Sequence, residues 1–188
     1  MAGNEDRRVR RSREALGDAL ISLMQEKAFD GITVQDVLDR AGVGRSTFYA
    51  HYKDKDDLFL SDAEEFLEMM SNRLSRKGDV SDRVLPVEEL FAHVAEMRKL
   101  VEALVDSGRI HDFFELAQGC FARGIERRLE DLPRSQHLAA ETRAAMGQAL
   151  AGALLSLLRS WLKQGAAKPA REMDALFHQL VWSGVQKL

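Results

Sequence analysis

Apolar residues recur along this chain every three to four positions, and no segment alternates cleanly over the length of a strand. That spacing predicts helices throughout. Leu16, Leu20, Leu23 and Met24 make the stripe of a first helix running to about Lys27, after a loose arm over residues 1–6. A second helix is expected over Val34–Ala41, with Val34, Val37, Leu38 and Ala41 on one face. Thr33 is its N-cap, Asp36 can return the capping bond, and Ile32 can staple against Val37. Gly42 ends it, because the left-handed turn after a helix costs glycine almost nothing. After Val43 a short helix starts at Gly44 or Arg45 and ends near Tyr52, with Phe48 and Tyr52 four apart on one face.

The later helices are longer. One runs from near Lys55 to about Ser75, with more apolar positions (Leu58 to Leu74) than the short head before it can use. Residues 76–83 are a polar loop, and Pro86 then opens a helix that Gly108 ends. Ile110 to Phe114 reads as a short helix or turn, and another helix spans Phe113 to about Leu132, stopped by Pro133. The most apolar stretch, Met146 to Leu162, covers more than one face. Its small residues, Gly147 and Gly152 among them, allow close helix approach, and Gly165 closes it. A last helix follows Pro169, with Met173, Leu176, Phe177, Leu180, Val181 and Val185 at helical spacing.

The chain has 188 residues, room for one large domain or two small ones. With 45% hydrophobic and 30% charged residues it has the balance of a folded, soluble protein. A net charge of −3 excludes a general polyanion binder, so any nucleic-acid contact must come from a local basic surface. The single Cys120 excludes an intramolecular disulfide and reads as a small buried apolar residue ahead of a redox sensor. No signal peptide and no run of about 18 apolar residues is seen, so a cytoplasmic protein with no membrane partner is expected. The five histidines (His51, His93, His111, His137, His178) fall at no helical ligand spacing, and Cys120 has no partner cysteine. No phosphate-cradling glycine loop or nucleophile elbow is present. No catalytic residue, metal site or cofactor is expected.

Two short helices joined by a glycine turn, with donors left on the outer face of the second, describe a helix-turn-helix. Arg45 carries a fork that matches guanine O6 and N7, and Ser46 and Thr47 can reach base edges or a thymine methyl. Tyr49, His51, Lys53 and Lys55 supply phosphate-facing donors, and Gly44 lets backbone approach DNA closely. Thr33 and Gln35, at the start of the preceding helix, complete the expected DNA-facing set. The competing reading is an ordinary helical hairpin with a solvated face. Asp36, Asp39, Asp54, Asp56 and Asp57 crowd the same region and speak against DNA, although helical spacing lets the first two point away. Arg7, Arg8, Arg10, Arg11 and Arg13 either are solvated charge or reach phosphates or a minor groove.

The order of residues in this stretch resembles the DNA-binding domain of TetR-family transcriptional repressors. The pattern is carried by Phe29, Ile32, Thr33, Ala41, Gly42, Val43, Thr47, Phe48, Tyr49, His51, Tyr52, Lys53, Lys55, Leu58 and Phe59. The resemblance implies an all-α protein with an N-terminal three-helix helix-turn-helix domain over residues 1–54. A C-terminal helical effector-binding and dimerisation domain follows over 55–188. It implies that the first helix buttresses the reading pair, that the fourth links head to C-terminal domain, and that Lys55 touches phosphate. Phe66, Met70, Phe91, His93, Met97, His111, Phe114 and Phe121 suit a pocket for a small apolar or aromatic effector, though the residues describe a filled core equally well. The surplus apolar surface of the last two helices either packs within one subunit or pairs two copies. The resemblance favours a homodimer through Leu150, Leu154, Leu157, Trp161, Phe177, Leu180 and Val181. One departure is Lys168, before Pro169, where a serine or aspartate cap is usual. The implied function is a repressor that binds a palindromic operator in double-stranded DNA and leaves it on binding effector. The rival is a helical carrier or interaction module that reads no DNA.

Overall fold

The computed structural model of the chain describes residues 2–73, 81–106 and 108–185. Its helices are α1 (Ala2–Met24), α2 (Val34–Ala41), α3 (Arg45–Tyr49), α4 (Lys55–Ser71), α5 (Val87–Glu96), α6 (Arg98–Asp106), α7 (Ile110–Asp131), α8 (Ala140–Lys163) and α9 (Ala170–Val185). Short 3-10 turns lie at Phe29–Gly31 and Pro133–Ser135, and no strand occurs among the described residues. The fold is all-α. Two compact units form, one from Met1–Ala63 with Arg98–Phe113, the other from Glu64–Met97 with Phe114–Leu188. The unit that holds the head therefore extends beyond residues 1–54.

In the first unit, Leu16, Leu20 and Leu23 of α1 meet Phe29, Val37, Phe48 and Leu58 in one buried core. Gly17 permits a close approach, since a Cβ there would stand 1.8 Å from the Asp62 carboxylate of α4. The expected loose arm is instead the first turns of α1, which begins at Ala2. No proline interrupts that run, and although Gly3, Asn4 and Asp6 are weak helix formers, the arginines that follow from Arg7 are good ones.

The helix expected from Pro86 to Gly108 is two helices. At Met97 the backbone takes φ −93° and ψ 25°, ending α5, and α6 restarts at Arg98. Leu104 of α6 is buried in the first unit's core, with Leu100, Ala103, Ile110 and Phe113 packed against it. Neither proline nor glycine marks the break, and the apolar stripe runs on through it, so spacing alone conceals it. Conversely, the short segment expected at Ile110 to Phe114 is the first turn of a continuous α7. The last residues expected of helix four, and residues 76–80 of the polar loop, lie outside the described residues.

The second unit buries Phe91, Phe121, Ile125, Leu154, Phe177 and Val181. Two glycines set helix separations: a Cβ on Gly147 would stand 2.7 Å from the Ala122 carbonyl oxygen, and one on Gly124 2.7 Å from Ser71 Cβ. The segment from Ser81 to Pro86 is held by side chains from distant helices. Buried Arg128 donates to the carbonyls of Arg83 (3.0 Å) and Ser81 (2.8 Å), and Trp182 Nε1 donates to that of Asp82 (3.0 Å). Asp174 accepts from Arg83 Nη2 (3.0 Å) and from the Glu88 amide (3.1 Å), while Arg83 also pairs with Glu89. Burial works against the Asp174 charge, but His178 and Arg83 outweigh it and hold the carboxyl below its ordinary range.

Between α8 and α9 the chain turns through Gly165 (φ 73°) and Ala166 (φ 56°). Trp161 Nε1 donates to the Lys168 carbonyl at 2.8 Å, which fixes the entry to α9 in place of a side-chain cap at Lys168. Cys120 is buried, and burial pushes its thiol up despite the neighbouring Arg123 charge, which leaves it unreactive.

Candidate nucleic-acid interface

The reading pair is built from local signals. Thr33 and Asp36 close a reciprocal capping box: Asp36 N donates to Thr33 Oγ1 (3.1 Å), and Thr33 N donates to Asp36 Oδ2 (2.7 Å). Ile32 and Val37 are both buried, as a hydrophobic staple requires. Gly42 takes φ 64° and ψ 30°, the left-handed conformation that ends α2 and turns the chain toward α3. Gly44 caps α3 with extended backbone, and Phe48 is fully buried beneath it. Tyr52 is buried as well and receives a hydrogen bond on its hydroxyl from Arg13 Nε at 3.1 Å, tying the end of the reading segment to α1.

That anchoring leaves Gly44, Arg45, Ser46, Tyr49, His51 and Lys53 exposed, with Thr47 half-buried; Thr33 and Gln35 are exposed on the α2 side. Tyr49 shows 52% of its surface and rests edge-on against Phe48, so its hydroxyl projects outward on a supported ring. Arg45 Nη2 donates to Gln35 Oε1 at 2.7 Å, and Gln35 Nε2 donates in turn to Asp39 Oδ1 at 2.7 Å. Gln35 therefore orients the guanidinium across the gap between α2 and α3.

The acids that speak against DNA have other work. Asp36 belongs to the capping box and pairs with Lys27 at 2.9 Å; that bond, then those from Thr33, hold its carboxyl well below the usual range. Asp54 caps the start of α4, accepting from the Asp57 amide at 2.8 Å, and Asp57 accepts from the Lys53 amide at 2.9 Å. Asp56 pairs with Arg109. Charge counting reveals none of these contacts, and of them only the capping bonds carry a signal in the sequence. Lys55 also turns inward: its ammonium donates to the carbonyls of Phe29 (2.7 Å), Ile32 (2.8 Å) and Asp30 (3.3 Å) and lies over the Phe29 ring. It latches the 3-10 turn to α4, a role that spacing does not reveal.

The effector set is scattered. In the second unit, Met70, Phe91, Phe114 and Phe121 are buried, while Phe66, His93 and Met97 are half-buried. Phe66 stacks on His93 at 4.7 Å, Phe91 packs on Trp161 at 5.0 Å, and the Arg159 guanidinium covers Phe114. His111 is exposed and belongs to the first unit. The pairing set also divides. Leu154, Trp161, Phe177 and Val181 are buried within the single chain, on the inward faces of α8 and α9. Leu180 is 50% exposed and Leu150 and Leu157 half-buried, and Leu176, one turn before Leu180, is 38% exposed. Leu176 falls outside the expected pairing residues, although its spacing from Leu180 is a signal that points to it. Among the described residues no helix is long and apolar enough to cross a membrane.

Comparison with known proteins agrees with this geometry. The family described as "Bacterial regulatory proteins, tetR family" matches residues 16–61. The chain is 44% identical over 54 residues to the HTH-type transcriptional regulator YxbF of Bacillus subtilis, covering 28% of this chain and 14% of that protein. It is 28% identical over 123 residues to YezE of the same organism, covering 63% of this chain and 54% of that protein. The chain thus spans between about a seventh and about half of the length of these relatives. Among solved structures, a TetR transcriptional regulator from Streptococcus agalactiae superposes with TM-score 0.62 at 25% identity, over 96% of this chain and 99% of that one. The dihydroxyacetone kinase operon activator DhaS has the same fold, with TM-score 0.65 at 17% identity over 94% and 97%. Proteins of this kind are regulators and not enzymes. Residues 16–61 therefore form a capped, anchored helix-turn-helix of the tetR family of bacterial regulatory proteins, set in an all-helical chain that shares the fold of solved TetR regulators.

Proposed function

We propose that this protein is a cytoplasmic repressor that binds an inverted-repeat operator in double-stranded DNA as a homodimer. In this reading a small apolar or aromatic effector releases it. The observation that carries the proposal is α3, where buried Phe48 and Tyr52 root a helix whose Arg45, Ser46 and Tyr49 stand exposed. Thr33, Gln35, Gly44, Thr47, His51 and Lys53 flank those residues and supply phosphate and sugar contacts that set register.

A single five-residue reading helix covers few base pairs, so specificity requires a second copy. The exposed Leu176 and Leu180 of α9 and the half-buried Leu150 and Leu157 of α8 suit a two-fold pairing in which the same patch meets itself. Half-sites read together sit about one turn, ~34 Å, apart. An effector held near Phe66 and His93, beside the α5–α6 break at Met97, would change that spacing through α4, which runs from Lys55 in one unit to Ser71 in the other. The coupling is reciprocal, so operator must weaken effector binding as much as effector weakens operator binding.

The test is selection of DNA from a random pool by the purified protein at near-physiological salt. Enrichment of an inverted repeat supports the reading and supplies the operator. No enrichment from folded, dimeric protein overturns it in favour of a helical carrier.

A further inference from the structure

We propose that Arg7, Arg8, Arg11 and Ser12 form a second DNA-contacting surface, a groove on α1 that grips the phosphate backbone beside the reading helix. The proposal rests on the DNA-binding reading and extends it to residues outside the helix-turn-helix.

An open groove of about 200 Å³ is lined by Arg7, Arg8, Arg11, Ser12 and Ala15 of α1 and by Val43 of the turn between α2 and α3. Positions 7 and 8, 11 and 12, and 15 follow one another by a helical turn, so they form one stripe. The arginine cluster at the start of the chain is thereby sorted by face. Arg10 pairs with Glu14 at 3.4 Å, and Arg13 donates to the Tyr52 hydroxyl. Arg7, Arg8 and Arg11 are exposed on the groove.

Position makes the occupant specific. Val43 is followed by Gly44, the N-cap of α3, and by exposed Arg45. The groove therefore opens next to the N-terminal end of the reading helix, the end that meets base edges in helix-turn-helix complexes. A strand passing that end carries its phosphates across the groove. Guanidinium forks match phosphate oxygens two at a time, and the Ser12 hydroxyl adds a donor. The floor of Ala15 and Val43 offers a base edge no side-chain hydrogen-bonding group. The groove accordingly contributes affinity and register without reading sequence. With a net charge of −3 for the whole chain, this concentration of positive charge is local.

The experiment measures binding to the selected operator, and to unrelated DNA, across a salt series for wild type, R11Q, R10Q and the triple variant R7Q/R8Q/R11Q. Removing one bound phosphate lowers the slope of log K against log salt by about 0.9, so a dimer that gives up one per groove drops by about 1.8. The triple variant and R11Q are expected to weaken both DNAs together with a shallower slope, while the selected sequence stays the same. R10Q, one residue away on the other face, keeps the wild-type slope. A further variant, R7K/R8K/R11K, retains most of the slope, because it keeps the charge. Should the triple glutamine variant fail to fold, R11Q against R10Q carries the test. A wild-type slope in R11Q and the triple variant, or an equal loss in R10Q and R11Q, overturns the groove while leaving the operator reading intact. Failure of the wild type to select any site overturns that reading, and the groove with it.

Discussion

The two units of this protein differ in how their polar groups are satisfied. In the first, the reading pair and the start of α4 are framed by partners close in sequence: Thr33 with Asp36, Gln35 with Asp39, and Asp54 with Asp57 lie three or four residues apart, while Lys55 and Arg13 add longer ties to Phe29 and Tyr52. In the second they come from far along the chain: Arg83 meets Asp174 across 91 residues, His178 accepts from the Val84 amide across 94, and Trp182 reaches Asp82 across 100. The head is a small frame assembled from caps and turns, which leaves its outer face free for a ligand. The second unit has to bring the end of the chain against its middle before its buried charges find partners, so its polar groups serve the fold.

The largest effect is expected at the anchor of the reading helix. Phe48→Ala removes a fully buried ring and should cost about 3–5 kcal/mol, seen as a lower denaturation midpoint together with loss of operator binding. Asp174→Ala attacks the long-range network instead and should cost about 2 kcal/mol at neutral pH, because Arg83 and the Glu88 amide lose a charged acceptor. Its signature is pH dependence. The folded carboxyl titrates below its unfolded value of about 3.9, so the contribution is complete above that value and is lost as pH falls through the lower folded one. The stability gap between wild type and variant is thus full at neutral pH and narrows only as pH falls below the unfolded value of about 3.9. Glu89, also held low by Arg83 against the effect of burial, closes in the same direction.

A smaller loss is expected from the local network of the head. Thr33→Ala opens the capping box and should cost about 1 kcal/mol, whereas serine at the same position should restore most of it. Smallest for the fold of one chain is Leu180→Lys, on a half-exposed residue, which should change monomer stability by no more than about 0.5 kcal/mol. Sedimentation should nevertheless show the variant as a monomer if α8 and α9 pair two copies.

The same contrast between near and distant partners decides what is legible in the sequence. Capping box, staple, left-handed Gly42 and the buried pair Phe48 and Tyr52 are all short-range, and residue order alone reveals each of them. The Met97 break is hidden, since Leu100 and Leu104 continue the stripe of α5 and only tertiary packing assigns them to the other unit. So is the inward turn of Lys55, whose acceptors are carbonyls more than 20 residues away. In the pairing helices the apolar pattern identifies α8 and α9 but not their faces. Leu154 and Leu157 are equally apolar, and only the packing of this chain buries one and leaves the other partly open. Side chains that could surround an effector are the least legible, because aromatic residues at helical spacing fill a core or line a pocket with the same pattern.

Sequence reading by α3 rests on Arg45, and a position-by-position affinity profile of the selected operator, measured with wild type and with Arg45→Ala, tests it. A fork on guanine contributes about 1–3 kcal/mol of discrimination against the wrong base. The variant should lose preference at one symmetry-related pair of base positions and keep it elsewhere. An unchanged profile, or a uniform loss of affinity with every preference intact, would contradict base reading by Arg45.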